Sequence, residues 1–373
     1  SVCSRTCLLA LVGVLITGSL SAAPATLDTS AYDARCGIDI SQEESVVTVT
    51  WPAGNERYAT LAIDLDEQQP LIRSISIGSH STKRSSLPAV ATGLDPTLLL
   101  RVGNRDLEKR GGWTIFFDRM QRKPHESFAA KIGRDWVVAS SNAQRATLAM
   151  GEVSAGPFRG ELRWTFYHGS PFVLQEAVVK TKRKRTAFLY DAGFAFRSKT
   201  PSRFAWHHQS GALQEEAIAS FAERQELAVR GRTICAADEG GCLALFPPPH
   251  RYFYPLDFSN NLSNIWIGPS APSRSGPIGF GIRHDPNGDN RYVPWFNAPV
   301  DTNQELGLFL FISDASPKAT LEAVAQLTRN DQFEPLPGHK VFSSHYHVEH
   351  TRELLKAQEK AARDPASISA TTP

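Results

Sequence analysis

The sequence has almost no imbalance of charge. Lys and Arg number 40 against 38 Asp and Glu over 373 residues, so nothing marks out the basic face a nucleic-acid binder needs. Gly (26) and Pro (24) stay well below the content of fibrous or low-complexity chains. The longest apolar run near the N-terminus, Leu8 to Ile16, has about half the length a membrane-spanning helix requires, so an anchored helix is the weaker reading. There is no G-x-S-x-G elbow, no Walker A loop and no G-x-G-x-x-G after a strand, so nucleophilic-elbow hydrolysis and nucleotide binding have no support. No internal repeat is visible.

What is present is an ordinary globular composition, 41% hydrophobic and 21% charged, with 20 Phe, 7 Trp and 8 Tyr to furnish sheets. Arg5, the apolar run and the small residues Gly18, Ser19, Ser21, Ala22 and Ala23 follow the grammar of a secretory signal over residues 1–25, on a start that lacks its methionine. The expectation is an exported protein, periplasmic or extracellular, beginning near Thr26. Cys3 and Cys7 would leave with the signal, which argues against a lipid anchor. Of the remaining Cys36, Cys235 and Cys242, the last two flank a Gly-rich turn, and a disulfide clamping that hairpin is expected in an oxidising compartment. Three cysteines do not point to a structural zinc site.

From about Ser45 to Ser313 short apolar runs alternate with turn residues. Over Glu161–Tyr167, Leu162, Trp164 and Phe166 fall on one side and Arg163, Thr165 and Tyr167 on the other, the period-2 pattern of a half-buried strand. Further strands are expected over Ala59–Leu65, Leu71–Ile77, Trp113–Phe117, Trp136–Ala139, Phe172–Val179, Ala187–Phe196, Cys242–Phe246, Ile278–Ile282 and Leu306–Ile312. Without regular strand–helix alternation the fold class is all-β: a large antiparallel β-sandwich over 26–335, with few short helices and a C-terminal helical tail over 336–373. One helix starts at Ser316-Pro317, a good cap and first position; the other runs over about Thr351–Ala362.

The densest chemical signal is Gly338–His350, with four histidines in the last twelve residues. If Lys340–His345 is a strand, His345 and His347 project to one side and can share a divalent metal such as zinc, with His350 and Glu349 as further ligands or a base. The plain alternative is a solvated polar turn. Trp206, His207 and His208, then His250, Tyr252 and Tyr254, and then His284 and Trp295 form aromatic and histidine-rich loops suited to stacking sugar rings. Ordinary packing is the alternative for each. Asp285–Asn290 has alternating oxygen ligands like a calcium loop but lacks the acidic twelfth residue, and reads as a turn. Lys180–Arg185 reads as a charged hairpin tip, Asn261–Ser263 as a glycosylation sequon.

The segments Ala59–Ile77, Gly160–Val179 and Phe246–Phe258 resemble the sheets of galactose-mutarotase-like supersandwich domains of carbohydrate-active enzymes. That resemblance implies a β-supersandwich with a carbohydrate or glycoconjugate as partner. Phe342–His347 resembles the first strand of a metal-dependent amidohydrolase or PHP-like barrel, with the H-x-H pair at His345 and His347, and it implies that a second domain is cut short here. The expected function is therefore an exported carbohydrate-associated module, the N-terminal domain of a polysaccharide- or glycoconjugate-processing enzyme. Two alternatives stand beside it: a metal-dependent hydrolase or lyase using His345 and His347, and a structural or adhesion module without catalysis.

Overall fold

The computed structural model describes residues 25–104, 124–227, 229–249, 265–270, 276–286, 295–331, 337–340 and 348–363. The chain divides into a unit over Ser1–Asp331 and a second over Gln332–Pro373.

The alternating sequences form strands because each can bury one face. Val47, Val49 and Trp51 of the strand Val46–Gly54 are fully buried while Thr48 and Thr50 between them are half-exposed. Leu162, Trp164 and Phe166 of Phe158–Tyr167 repeat the pattern. Among the described residues the strands assemble into two sheets of eleven, counting Lys131–Ile132 paired beside Arg145–Ala155 in the first and Phe296–Ala298 and His125–Ala129 paired beside Thr186–Phe196 and Ala89–Asn104 in the second. The first sheet runs in space from Leu27–Ala31 through Val137–Asn142, Arg145–Ala155, Phe158–Tyr167, Phe172–Thr181, Gln304–Ser313, Gly241–Phe246 and Val229–Asp238 to Arg203–His208 and Leu213–Ala217. The second runs from Gln225–Leu227 through Ile265–Pro269, Ile278–Arg283, Thr186–Phe196, Ala89–Asn104, Ile72–Ser79, Arg57–Asp64 and Val46–Gly54 to Asp39–Glu43. Among the described residues the pairing is antiparallel except between Leu27–Ala31 and Val137–Asn142.

One apolar core fills the space between the sheets, with Trp51, Leu61, Phe194 and Phe280 from the second sheet and Trp164 and Leu308 from the first. The sandwich expected from the sequence is present. The helix Pro317–Leu327, capped by Ser316 Oγ accepting from the Ala319 amide at 3.4 Å, lays Leu321 and Val324 on the outward side of the first sheet against Ala205, Cys235, Cys242 and Phe246. The tail helix spans Val348–Arg363; the basic run Lys182–Arg185 is not the expected hairpin tip but the link from Phe172–Thr181 in the first sheet to Thr186–Phe196 in the second.

The expected disulfide is corrected. Cys235 pairs in register with Ala244, and Cys242 with Ala237, so the two thiols lie diagonally across the hairpin rather than directly opposite. Both are free and buried, Cys242 Sγ donating to the Ala315 carbonyl at 3.2 Å and Cys235 Sγ to that of Ala236 at 3.6 Å. Burial pushes the Cys235 thiol well above its ordinary range, so it holds its proton.

Candidate functional site

Among the described residues expected to face a sugar, Trp206, His284 and Trp295 are buried. Consecutive residues of a strand point to opposite faces, and this separates the Trp206–His208 group. The Trp206 ring is in the core, edge-on to Phe221 at 6.4 Å. His207 sits on the other face, where burial lowers its pKa against the partial offset of Glu322 on the covering helix. His208 is at the exposed strand end, its Nδ1 3.1 Å from Ser210 Oγ. His284 is fully buried, with Nδ1 2.7 Å from the Tyr190 carbonyl and its ring against Tyr190 and Phe296. Trp295 is buried, its ring 5.2 Å from that of His125. His250, Tyr252, Tyr254, His345 and His347 lie outside the described residues, as does the side chain of His350 in the first turn of the tail helix. Among the described residues no group of three or more His, Cys, Asp or Glu could hold a metal ion.

The outward face of the second sheet carries the chemistry instead, and its two ends differ. At one end Asp191 interrupts the apolar run of Thr186–Phe196. An unpaired buried carboxylate is very costly, and here it is saturated: Arg101 Nη1 and Nη2 donate at 2.7 and 2.9 Å and Arg224 Nη2 at 2.8 Å. Arg283 continues the network to Glu226 at 2.8 Å and Asp285 at 3.5 Å. The Arg224 guanidinium lies 4.2 Å over the Trp266 ring. That indole rests on Gly279 and Gly281, where a Cβ would stand 2.9 and 2.8 Å from ring atoms, so only glycine admits it. Burial alone would raise the Asp191 pKa, but Arg101, Arg224 and Arg283 more than offset it and hold the carboxyl below its usual value. A carboxylate so held donates no proton near neutral pH; this end is an anchor.

The other end is open. A cavity of about 460 Å³ lies where Arg57–Asp64, Ile72–Ser79 and the start of Ala89–Asn104 meet, lined by Ser45, Asp64, Asp66, Gln69, Arg73 and Thr92. Its volume is in the range of small-molecule sites. Asp64 is 95% buried, the complement of its 5% side-chain exposure. Its Oδ1 accepts from the Asp66 amide at 3.1 Å, whereas its nearest described cation, Arg73 Nη1, is 4.0 Å from Oδ2, beyond hydrogen-bond reach. Oδ2 thus accepts no hydrogen bond among the described residues, on a residue that lines the cavity. Arg134, reaching from the first sheet, fixes the rim: its Nη1 donates to the carbonyls of Asp64 at 3.0 Å and Gln69 at 2.8 Å, and to that of Asp66. Gly93, at φ +65°, adopts a left-handed turn beside Ser198, with no room for a Cβ.

Sequence reading missed both ends. Asp191 had a signal, a lone acid within an apolar strand. Asp64, Asp66 and Gln69 stand in a polar turn like many others, and only the fold brings Ser45, Thr92 and Ser198 to them.

No family model matches the chain, and no curated protein matches it. It is similar to solved structures that include the GH36 alpha-galactosidase AgaB of Geobacillus stearothermophilus, at TM-score 0.38 and 9% identity over 74% of this chain and 41% of that one. A galactose mutarotase related enzyme of Lactobacillus acidophilus matches at TM-score 0.32 and 10% identity, over 70% of this chain and 97% of that one. An alpha-mannosidase of Enterococcus faecalis V583 matches at 0.36 and 8%, over 81% and 32%. The chain thus spans less than half the length of the two glycosidases. At these scores the likeness is too loose to transfer a residue or an activity.

Proposed function

We propose that the chain is an exported, carbohydrate-associated β-sandwich module, part of an enzyme that processes a polysaccharide or glycoconjugate, and that it binds sugar at the Asp64 cavity. The observation that carries this reading is the Asp64 carboxylate, whose Oδ2 accepts no hydrogen bond among the described residues, on the wall of a cavity lined also by the Asp66 carboxylate and by hydroxyl, amide and guanidinium groups. A ligand hydroxyl donating to Oδ2 would supply the hydrogen bond it lacks within the chain. Sugars present such hydroxyls in neighbouring pairs, matching the alternation of Asp64, Asp66, Gln69 and Arg73 around the cavity. The role assigned is binding, since no described group is arranged as an acid–base pair on a reacting bond.

Affinity electrophoresis through gels carrying neutral or acidic polysaccharides tests the proposal. The wild type is expected to be retarded by at least one of them, and Asp64→Asn, which keeps the size of the side chain and loses its charge, to migrate as in an empty gel. Free migration of the wild type through every polysaccharide would overturn the reading.

A further inference from the structure

The outward face does not stop at the cavity. Along Arg57–Asp64 the core takes Ala59, Leu61 and Ile63, so Tyr58, Thr60, Ala62 and Asp64 face outward in a line. Register adds hydroxyls on the neighbouring strands: Thr50 stands beside Thr60, Thr48 and Ser74 flank Ala62, and Thr92 lies beyond Ser74. These positions are half-exposed. From Tyr58 to Asp64 the line is about 20 Å long, at roughly 3.4 Å per residue.

Its far end is closed by a built feature. The Arg84 guanidinium lies 4.4 Å over the Tyr58 ring and pairs with Asp39 on the edge strand. His80 packs on Tyr58 with centroids 5.0 Å apart and planes at 35°. Arg84 and Asp39 remain 51% and 62% exposed, so their outward polar atoms are accessible. Charge on the face is nearly balanced, Arg84 against Asp39 at one end and Arg73 beside Asp64 and Asp66 at the other.

We propose that this face binds an extended, uncharged oligosaccharide of several linked rings, with one terminus in the Asp64 cavity and the chain running along Arg57–Asp64 to the Tyr58–His80–Arg84 clamp. The inference rests on the reading of the cavity as a sugar site and extends it from a single ring to a chain. The balanced charge disfavours a strongly anionic ligand, and the absence of large apolar side chains from the line disfavours a hydrophobic protein partner. Threonine hydroxyls and methyls together match the mixed polar and C–H surface of a sugar. Each such hydrogen bond contributes little by itself, so affinity has to accumulate with chain length.

The test is calorimetric titration with the monosaccharide and the di- to hexasaccharides of whichever polysaccharide retards the wild type. Affinity is expected to rise about tenfold or more from one ring to four, the equivalent of two or three added contacts. Arg84→Gln, at an exposed position that leaves the fold intact, and Tyr58→Ala are expected to lose most of that gain while binding the monosaccharide as the wild type does. Asp64→Asn is expected to lose both. Affinity independent of length, or a tetrasaccharide bound equally by the wild type and both clamp variants, would overturn the extended site and leave the cavity reading standing. A wild type that binds no saccharide of any length overturns the cavity reading itself. Self-association through this face, seen as a dimer in light scattering that Arg84→Gln dissolves, would overturn the saccharide as occupant.

Discussion

Asp191 shows how one residue can decide the cost of a whole sheet face. It is 3% exposed, with Arg101 buried beside it and Arg224 half-buried on an adjoining segment. Removing the carboxylate would strand two guanidinium groups away from water. Asp191→Asn is therefore expected to lower stability by about 3–5 kcal/mol, read from the denaturant midpoint at unchanged slope. Because the folded pKa is depressed, the contribution is present above the unfolded value near 3.9 and is lost as pH falls through the lower folded value. The stability gap between wild type and variant should narrow on acidification below about pH 4; a gap constant with pH would show that Asp191 is not ionised in the native state. The thiols give a second residue-scale outcome. Cys36, Cys235 and Cys242 are all buried and free, so a charged alkylating reagent should label none in the native chain and all three after denaturation. Labelling of Cys36 alone after denaturation would restore the disulfide.

At the scale of elements, the connection from Arg57–Asp64 to Ile72–Ser79 buries only its ends, Leu65 and Leu71, and leaves residues 66–70 between them half-exposed or exposed. Asp66 and Gln69 in it are held from outside by Arg134, whose side chain is 10% exposed and which also lies 3.6 Å from Asp95. Charge-assisted bonds to carbonyls are the stronger class. Arg134→Ala should cost about 2 kcal/mol and raise amide hydrogen exchange over residues 65–71 more than in the strands on either side. Uniform acceleration across the sheet would show that the clamp acts on global stability only. The same element explains why the cavity was illegible in the sequence: its rim is fixed by an arginine 65 residues away from Gln69, while local spacing shows only a polar turn.

For the molecule as a whole, strand existence was legible because a half-buried strand writes its two faces into alternate residues. Phe158–Tyr167 and Val46–Gly54 follow that pattern, and Thr186–Phe196, buried on both faces, reads as a continuous apolar run. The capped helix at Ser316-Pro317 was legible for a similarly local reason. Strand order was not. Gln304–Ser313 enters between Phe172–Thr181 and Gly241–Phe246, closing the first sheet with a strand from more than a hundred residues beyond its neighbour. Such pairing is selected by the shared core and not by any local signal.

The sequence by itself determined the class of the fold and the two helices, since each depends on period or capping within a few residues. Only the tertiary structure decided which aromatics are core, because burial of Trp206 and Trp295 depends on what packs over them. It also decided which polar groups meet. Asp64 lies in one cavity with Ser45 and Thr92, and Asp191 meets Arg101 and Arg224, through cross-strand register between distant segments. A buried polar group must find its partner wherever the sheets bring one, and that is a property of the packed chain.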